Sequence, residues 1–259
     1  MKAPVVLIGT GEMGGIFARG LLRSGHPVYP ITRDIDPSRA AADYPAPLMV
    51  LVAVAEADLE PVLHELPAQW KDRLVLLQNE LLPSTWQQHD IEQPTVISVW
   101  FEKKPGQDAK VLLPSPVFGP HAELILRALD RIGIPCRALD SEDELLFELV
   151  LKNLYILTTN IAGLRTGGTV GELWERHPHL TRALADEVID IQAGLTGREF
   201  DREALLRGMQ RTFEADPEHK CMGRSAPARL GRTVALADKM QLSVPILHSI
   251  ATEQAGPRS

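Results

Sequence analysis

One stretch near the start constrains this chain more than any other. Pro4-Val5-Val6-Leu7-Ile8 is a short apolar run, and it opens directly into Gly9-Thr10-Gly11-Glu12-Met13-Gly14-Gly15. The run predicts a buried parallel strand. Ile16-Phe17-Ala18-Arg19-Gly20-Leu21-Leu22-Arg23 then has helical spacing and stops at Ser24-Gly25, a helix-end signal. In a Gly-x-Gly-x-x-Gly turn between strand and helix, each glycine has its own task. Gly9 permits the tight turn, Gly11 lets a pyrophosphate approach the backbone, and Gly14 lets the helix pack close to the sheet. The helix start offers unpaired N–H groups and the positive end of the dipole. A second strand, Val28-Tyr29-Pro30-Ile31, completes the strand–turn–helix–strand context that separates this motif from a chance set of glycines. Gly9, Thr10, Gly11, Glu12, Met13 and Gly14 are therefore candidate dinucleotide-binding residues. Glu12 is the awkward one. It suits the dipole but would repel a pyrophosphate, so its side chain is expected to point to solvent.

The rest of the first half repeats the alternation of strand and helix. Leu48–Val54 and Leu74–Leu77 read as buried strands, and Thr95–Trp100 and Lys110–Leu113 as further strand candidates. Asp36-Pro37-Ser38 looks like a helix N-cap with proline at the first helical position, and His121–Arg131 has helical spacing. After Arg137 no convincing strand appears, while helical patterns cover 144–164, 180–195, 202–213 and about 225–241. The expected fold is α/β: an N-terminal Rossmann-like doubly wound parallel sheet over 1–139, then a C-terminal all-helical domain over 140–259. The first would bind the nucleotide, and the second would serve substrate binding and dimerisation.

Composition sets the outer limits. The 259 residues are 44% hydrophobic and 24% charged, enough to bury a real core and unlike a disordered chain. A net charge of −7, with no basic run, argues against a nucleic-acid partner. Cys136 and Cys221 are the two cysteines, and they read as small buried hydrophobes, although sequence alone leaves a disulfide open. No run was expected to reach the roughly 18–20 apolar residues of a membrane span. No signal-peptide core precedes the first strand, so a cytoplasmic protein is the expectation.

The end of the second strand reads Ile31-Thr32-Arg33-Asp34. An acidic residue there suits the 2′-hydroxyl of NAD, and an arginine suits the 2′-phosphate of NADP. Thr32 and Arg33 offer a hydroxyl and a guanidinium, so NADP(H) is the expected cofactor; Asp34 argues mildly the other way. In the second half, Lys152, Tyr155, Ile156, Thr159 and Asn160 fall on roughly one side of the 144–164 helix. A lysine in so apolar a helix is costly unless it is paired or functional. It could hydrogen-bond a substrate carbonyl and donate a proton to it, or it could snorkel to water.

These residues together resemble the ketopantoate reductases (2-dehydropantoate 2-reductases), within the wider 6-phosphogluconate dehydrogenase-like group of two-domain oxidoreductases. Gly9, Gly11, Gly14 and Arg33 match that family's NADP-binding positions. The family's Asn-Gly after the fourth strand stands here as Asn79-Glu80, so the asparagine implied to lie near nicotinamide and substrate is Asn79. In the family's Lys-x-x-x-Asn-x-x-x-Asn helix, Lys152 matches the catalytic lysine and Asn160 the second asparagine, while Ile156 replaces the first. Gly171-Glu172-Leu173 and Val244-Pro245 resemble further landmarks. The loop Val54-Ala55-Glu56-Ala57-Asp58 lacks the family's lysine, and Pro227 stands where the family carries a glutamate. The resemblance implies reduction of a small 2-oxo acid by hydride from NADPH, with Lys152, Asn79 and Asn160 as catalytic residues. The departures keep two other functions open: a non-catalytic dinucleotide-binding sensor or scaffold, and a 3-hydroxyacid dehydrogenase of the 6-phosphogluconate dehydrogenase type, running as the oxidation of a hydroxy acid. The expected partners are a small oxo or hydroxy acid, with no nucleic acid or membrane. Apolar stretches in the helical half leave room for a homodimer.

Other signals carry less. His177-Pro178-His179 lacks a third ligand at a recognisable spacing, so no metal is expected. No phosphate-binding Gly-x-x-x-x-Gly-Lys loop and no Gly-x-Ser-x-Gly elbow occur. Arg224, Arg229 and Arg232 form a basic cluster that reads first as a solvated helix face, with binding of a substrate carboxylate as the alternative.

Overall fold

The computed structural model describes residues 2–256. The chain divides into two compact units, Met1–Leu149 and Val150–Ser259. In chain order the first contains β1 (Val5–Ile8), α1 (Glu12–Arg23), β2 (Val28–Ile31), α2 (Pro37–Asp43), β3 (Met49–Val52) and α3 (Glu56–His64). A short 3₁₀ turn, Ala68–Arg73, leads to β4 (Leu74–Leu76), α4 (Pro83–Gln87), β5 (Thr95–Ile97), β6 (Phe101–Glu102) and β7 (Lys110–Val111). β8 (Ser115–Phe118), α5 (Ala122–Asp130), β9 (Cys136–Ala138) and the first turns of α6 (Glu142–Thr166) complete it.

Seven strands form one sheet in the order β2-β1-β3-β4-β5-β8-β9. β1 to β5 are parallel, so their carboxyl ends share one edge. β8 runs antiparallel to β5 and parallel to β9. β1, β3 and β4 were expected to be buried, and every residue in them is. Val6, Ile8, Val50, Val52, Leu74 and Leu76 join the core on one face. Val5, Leu7, Met49, Leu51, Val75 and Leu77 join the core on the other. This period of two is what a pleated strand imposes on a continuous apolar run.

Three features differ from the sequence reading. Lys110–Val111 pairs only with β6, in a separate two-stranded ribbon. β8 and β9 were not anticipated, because Pro116 disguises one and the other is a largely exposed edge strand. The compact units divide after Leu149, ten residues beyond the expected boundary at 139. Leu139, Leu145 and Leu149 all pack into the sheet's core with Val6 and Ile8, so the first two turns of α6 belong to the sheet unit.

The second unit takes the remainder of α6 and then α7 (Val170–Arg176), α8 (Pro178–Thr196), α9 (Arg202–Ala215), α10 (Ala226–Lys239) and α11 (Pro245–Ala255). α6 also corrects an expectation. It is long and apolar enough, by length and composition, to cross a membrane, yet 78% of its most apolar window is buried, as in the core helix of a folded protein. Two helix starts are secured by side chains the sequence reading passed over. Thr169 and Glu172 form a reciprocal capping box at α7, with Glu172 N–H donating to Thr169 Oγ1 at 3.3 Å and Thr169 N–H to Glu172 Oε2 at 3.1 Å. Glu187 on α8 is buried and accepts from the first N–H groups of α11, Ile246 at 2.7 Å and Leu247 at 2.9 Å. Both cysteines are free thiols. Burial pushes Cys136 up to about 12 and Cys221 up to about 11, with Glu172 adding to the latter.

Candidate functional site

The carboxyl edge of the parallel strands carries the candidate nucleotide residues. Gly9 ends β1 with φ +93°, a left-handed value that excludes most side chains. A Cβ there would meet the Ala53 carbonyl oxygen at 2.7 Å, and one on Gly14 would meet the Gly9 carbonyl oxygen at 2.1 Å. Gly11 is the opposite case, since a Cβ there meets nothing within 4 Å. The first helical bond runs from Gly15 N–H to the Gly11 carbonyl at 2.9 Å. The N–H groups of Glu12, Met13 and Gly14 precede it and have no partner within the helix. Two glycines thus close the turn on the sheet, and the third leaves open backbone in front of a helix start. That arrangement fits the pyrophosphate of a dinucleotide.

Thr32 and Arg33, at the end of β2, are both exposed. Arg33 forms an ion pair with Asp58 at 3.5 Å while its side chain stays 94% exposed. At that exposure the pair contributes about 0–1 kcal/mol, so the guanidinium can be redirected to a phosphate at little cost. Glu12 is 44% exposed, but it does not simply face solvent: Lys103 Nζ lies 3.0 Å from its Oε2.

After β4, Gln78 is buried and closes the edge from below. Its Nε2 donates to the Val52 carbonyl at 2.8 Å and its Oε1 accepts from Leu77 N–H at 3.1 Å. Asn79 is half-buried and donates from Nδ2 to Glu56 Oε1 at 3.0 Å, at the start of α3. Glu80 has φ +60°, the left-handed region that glycine takes most easily.

In the helical unit, Lys152 is half-buried on α6, with Nζ 6.0 Å from the centroid of the Tyr155 ring. Tyr155 in turn packs on Phe213 and His219, with centroids 5.7 and 6.5 Å away. Thr159 turns its hydroxyl back to donate to the Tyr155 carbonyl at 2.7 Å. Asn160 is engaged at both ends of its amide. Oδ1 accepts from Arg229 Nη1 at 2.8 Å, and Nδ2 donates to the Cys221 carbonyl at 3.2 Å. Arg229, on α10, is only 9% exposed, which corrects the reading of the 224–232 arginines as a solvated face. Arg224 and Arg232 do lie on the surface. Arg229 was hidden in the sequence because helical phase alone does not say which arginine of three turns inward. Ile156 is buried, and Pro227 occupies the first turn of α10, where a missing N–H costs nothing. Among the described residues, no group of three or more His, Cys, Asp or Glu is placed to hold a metal ion.

No family model matches the chain, and no curated protein matches it in sequence. Solved structures do. The chain aligns with 2-dehydropantoate 2-reductase from Methylococcus capsulatus at a TM-score of 0.70, over 97% of this chain and 96% of that one, with 15% identity. It aligns with the dimeric ketopantoate reductase of Staphylococcus aureus at 0.67, over 97% of each chain, with 15% identity. The chain has the ketopantoate reductase fold. A D-mandelate dehydrogenase solved with NADH aligns at 0.64, over 96% of each chain, with 13% identity. Against the ketopantoate reductase pattern, the structure explains one substitution. Glu80 stands at that pattern's glycine and keeps a glycine-like backbone, so the turn survives with a side chain in a costly conformation.

Proposed function

We propose that this chain is a nicotinamide-dinucleotide-dependent oxidoreductase that reduces the ketone of a small 2-oxo acid. The observation that carries the reading is the glycine turn: Gly9 and Gly14 have no room for a side chain, while the space in front of Gly11 is open. The solved structures of like fold, ketopantoate reductases and a D-mandelate dehydrogenase, support the substrate class. Gly9, Gly11 and the first N–H groups of α1 would hold the pyrophosphate, and Thr32 with Arg33 would take the 2′-phosphate of NADPH. When bound, the reduced nicotinamide supplies a hydride. Lys152 holds a proton on Nζ for the substrate's carbonyl oxygen, which gains negative charge as the carbonyl carbon is reduced. Asn79 offers an amide already oriented by Glu56. Arg229, through Asn160, fixes the helical residues around Lys152's face of α6.

The first experiment is a titration of the purified protein with NADPH and NADH side by side, followed by a panel of 2-oxo acids. NADPH binding at least about tenfold tighter than NADH, a difference of about 1.4 kcal/mol, supports Arg33 as the selector. Loss of turnover in Lys152→Ala with cofactor affinity retained supports the proton donor. Failure to bind either nucleotide would sink the reading.

A second reading is a dinucleotide-binding sensor without turnover. It is favoured by Asn160, whose amide is taken by Arg229 and Cys221, and by the apolar Ile156 one turn earlier. NADPH oxidation with any 2-oxo acid counts against it.

A further inference from the structure

Glu12 poses a problem for an anion at the glycine turn. It is the first residue of α1, directly after Gly11, and its carboxylate competes with a phosphate for the same positive helix end. The fold answers with a cation from a distant part of the chain. Phe101 in β6 is buried and packs on Phe17 of α1, with ring centroids 6.3 Å apart. That contact anchors the β6–β7 ribbon against α1 and brings the residues after β6 to the helix start. Lys103 Nζ lies 3.0 Å from Glu12 Oε2 and donates to the Lys104 carbonyl at 2.8 Å. Its side chain is only 20% exposed, whereas that of neighbouring Lys104 is 60% exposed. A surface ion pair formed by chance holds both partners in water. Here the ammonium is drawn in against the first residue of α1, and two of its three N–H groups are aimed at acceptors, the Glu12 carboxylate and the Lys104 carbonyl.

We propose that Lys103 is a ligand of the dinucleotide pyrophosphate, pre-positioned by Glu12, and the charge that makes an acidic residue tolerable at this turn. The inference rests on the dinucleotide reading above. It also makes Lys103 indifferent to the choice between NADPH and NADH, since both carry the same pyrophosphate, whereas Arg33 acts on the 2′-phosphate alone.

Calorimetric titration of the full chain with NADPH, NADH and inorganic pyrophosphate tests it. Lys103→Gln is expected to weaken all three by tenfold or more and to flatten the dependence of affinity on salt. Lys103→Arg should keep most of the affinity. Glu12→Gln should tighten binding, and Glu12→Gln combined with Lys103→Gln should lose less than Lys103→Gln alone, because the unbalanced carboxylate has gone. Arg33→Ala should weaken NADPH only. Wild-type affinity in Lys103→Gln, for a nucleotide that the wild type binds, overturns the proposal and leaves the glycine turn intact as a site. If the wild type binds none of the three ligands, the dinucleotide reading falls and takes Lys103 with it.

Discussion

Gly14 lies so close to Gly9 that a Cβ on the first would stand 2.1 Å from the carbonyl oxygen of the second. Gly11, between them, has φ −67° and open space where its Cβ would be. The two glycines therefore separate stability from binding. Gly14→Ala must push α1 away from the strand end, and about 1–3 kcal/mol of stability is expected to go. Gly11→Ala should change stability by less than about 0.5 kcal/mol while cutting dinucleotide affinity tenfold or more. Urea denaturation and nucleotide titration on both variants read the two effects. Equal affinity in Gly11→Ala and wild type would contradict the assigned cradle.

Glu80 makes a second test of backbone economy. A non-glycine residue in the left-handed region costs roughly 1–2 kcal/mol, and glycine returns part of that as extra freedom when unfolded. Glu80→Gly is expected to stabilise the protein by about 0.5–1 kcal/mol, or raise Tm by about 2 °C. A lower Tm would mean that the Glu80 side chain contributes more than its backbone costs.

Much of this was legible in the chain because the signals were local. The glycine turn, the apolar strands and the Asp36 N-cap, which accepts from Ser38 N–H at 2.8 Å, are each set by neighbouring residues. What was hidden depended on residues far apart in sequence. Lys103 meets Glu12, Arg229 meets Asn160, and Glu187 meets the start of α11, and no spacing rule connects any of these pairs. The division after Leu149, against the expected boundary at 139, has the same cause. Helical periodicity is read from 144 and the helix begins at Glu142, but whether Leu145 and Leu149 pack on the sheet or on other helices is a tertiary choice. The α7 capping box is different, since Thr169-x-x-Glu172 was there to be read.

The buried Glu187 carboxylate accepts two N–H groups that would otherwise be orphaned at the start of α11. Hydrogen bonds to a charged acceptor contribute about 1.5–3 kcal/mol. Glu187→Ala should lose stability on that scale, with amide exchange accelerated first in α11. Glu187→Gln keeps one acceptor and should lose less. Similar losses in both variants would mean that the packing of the side chain, rather than its charge, secures the helix.

Two histidines contribute to how stability responds to mild acid. Burial first, then the charge of Lys2, holds His26 below its ordinary 6.5. Burial first, then Arg73, does the same to His121, and Asp72 only partly offsets it. A backbone hydrogen bond with Ala3 only partly offsets the two effects on His26. Both imidazoles are favoured as neutral in the folded state, whereas the unfolded chain takes up protons from about pH 6.5 downward. Below that value the unfolded state binds more protons, so stability falls with pH until the folded-state values are passed. His121→Gln keeps the backbone N–H that donates to Thr95 Oγ1 at 2.7 Å while removing the titrating ring. Chemical denaturation of this variant between pH 7.5 and about pH 5 should show a shallower decline than the wild type. An unchanged slope would mean that His121 is not a source of the acid sensitivity.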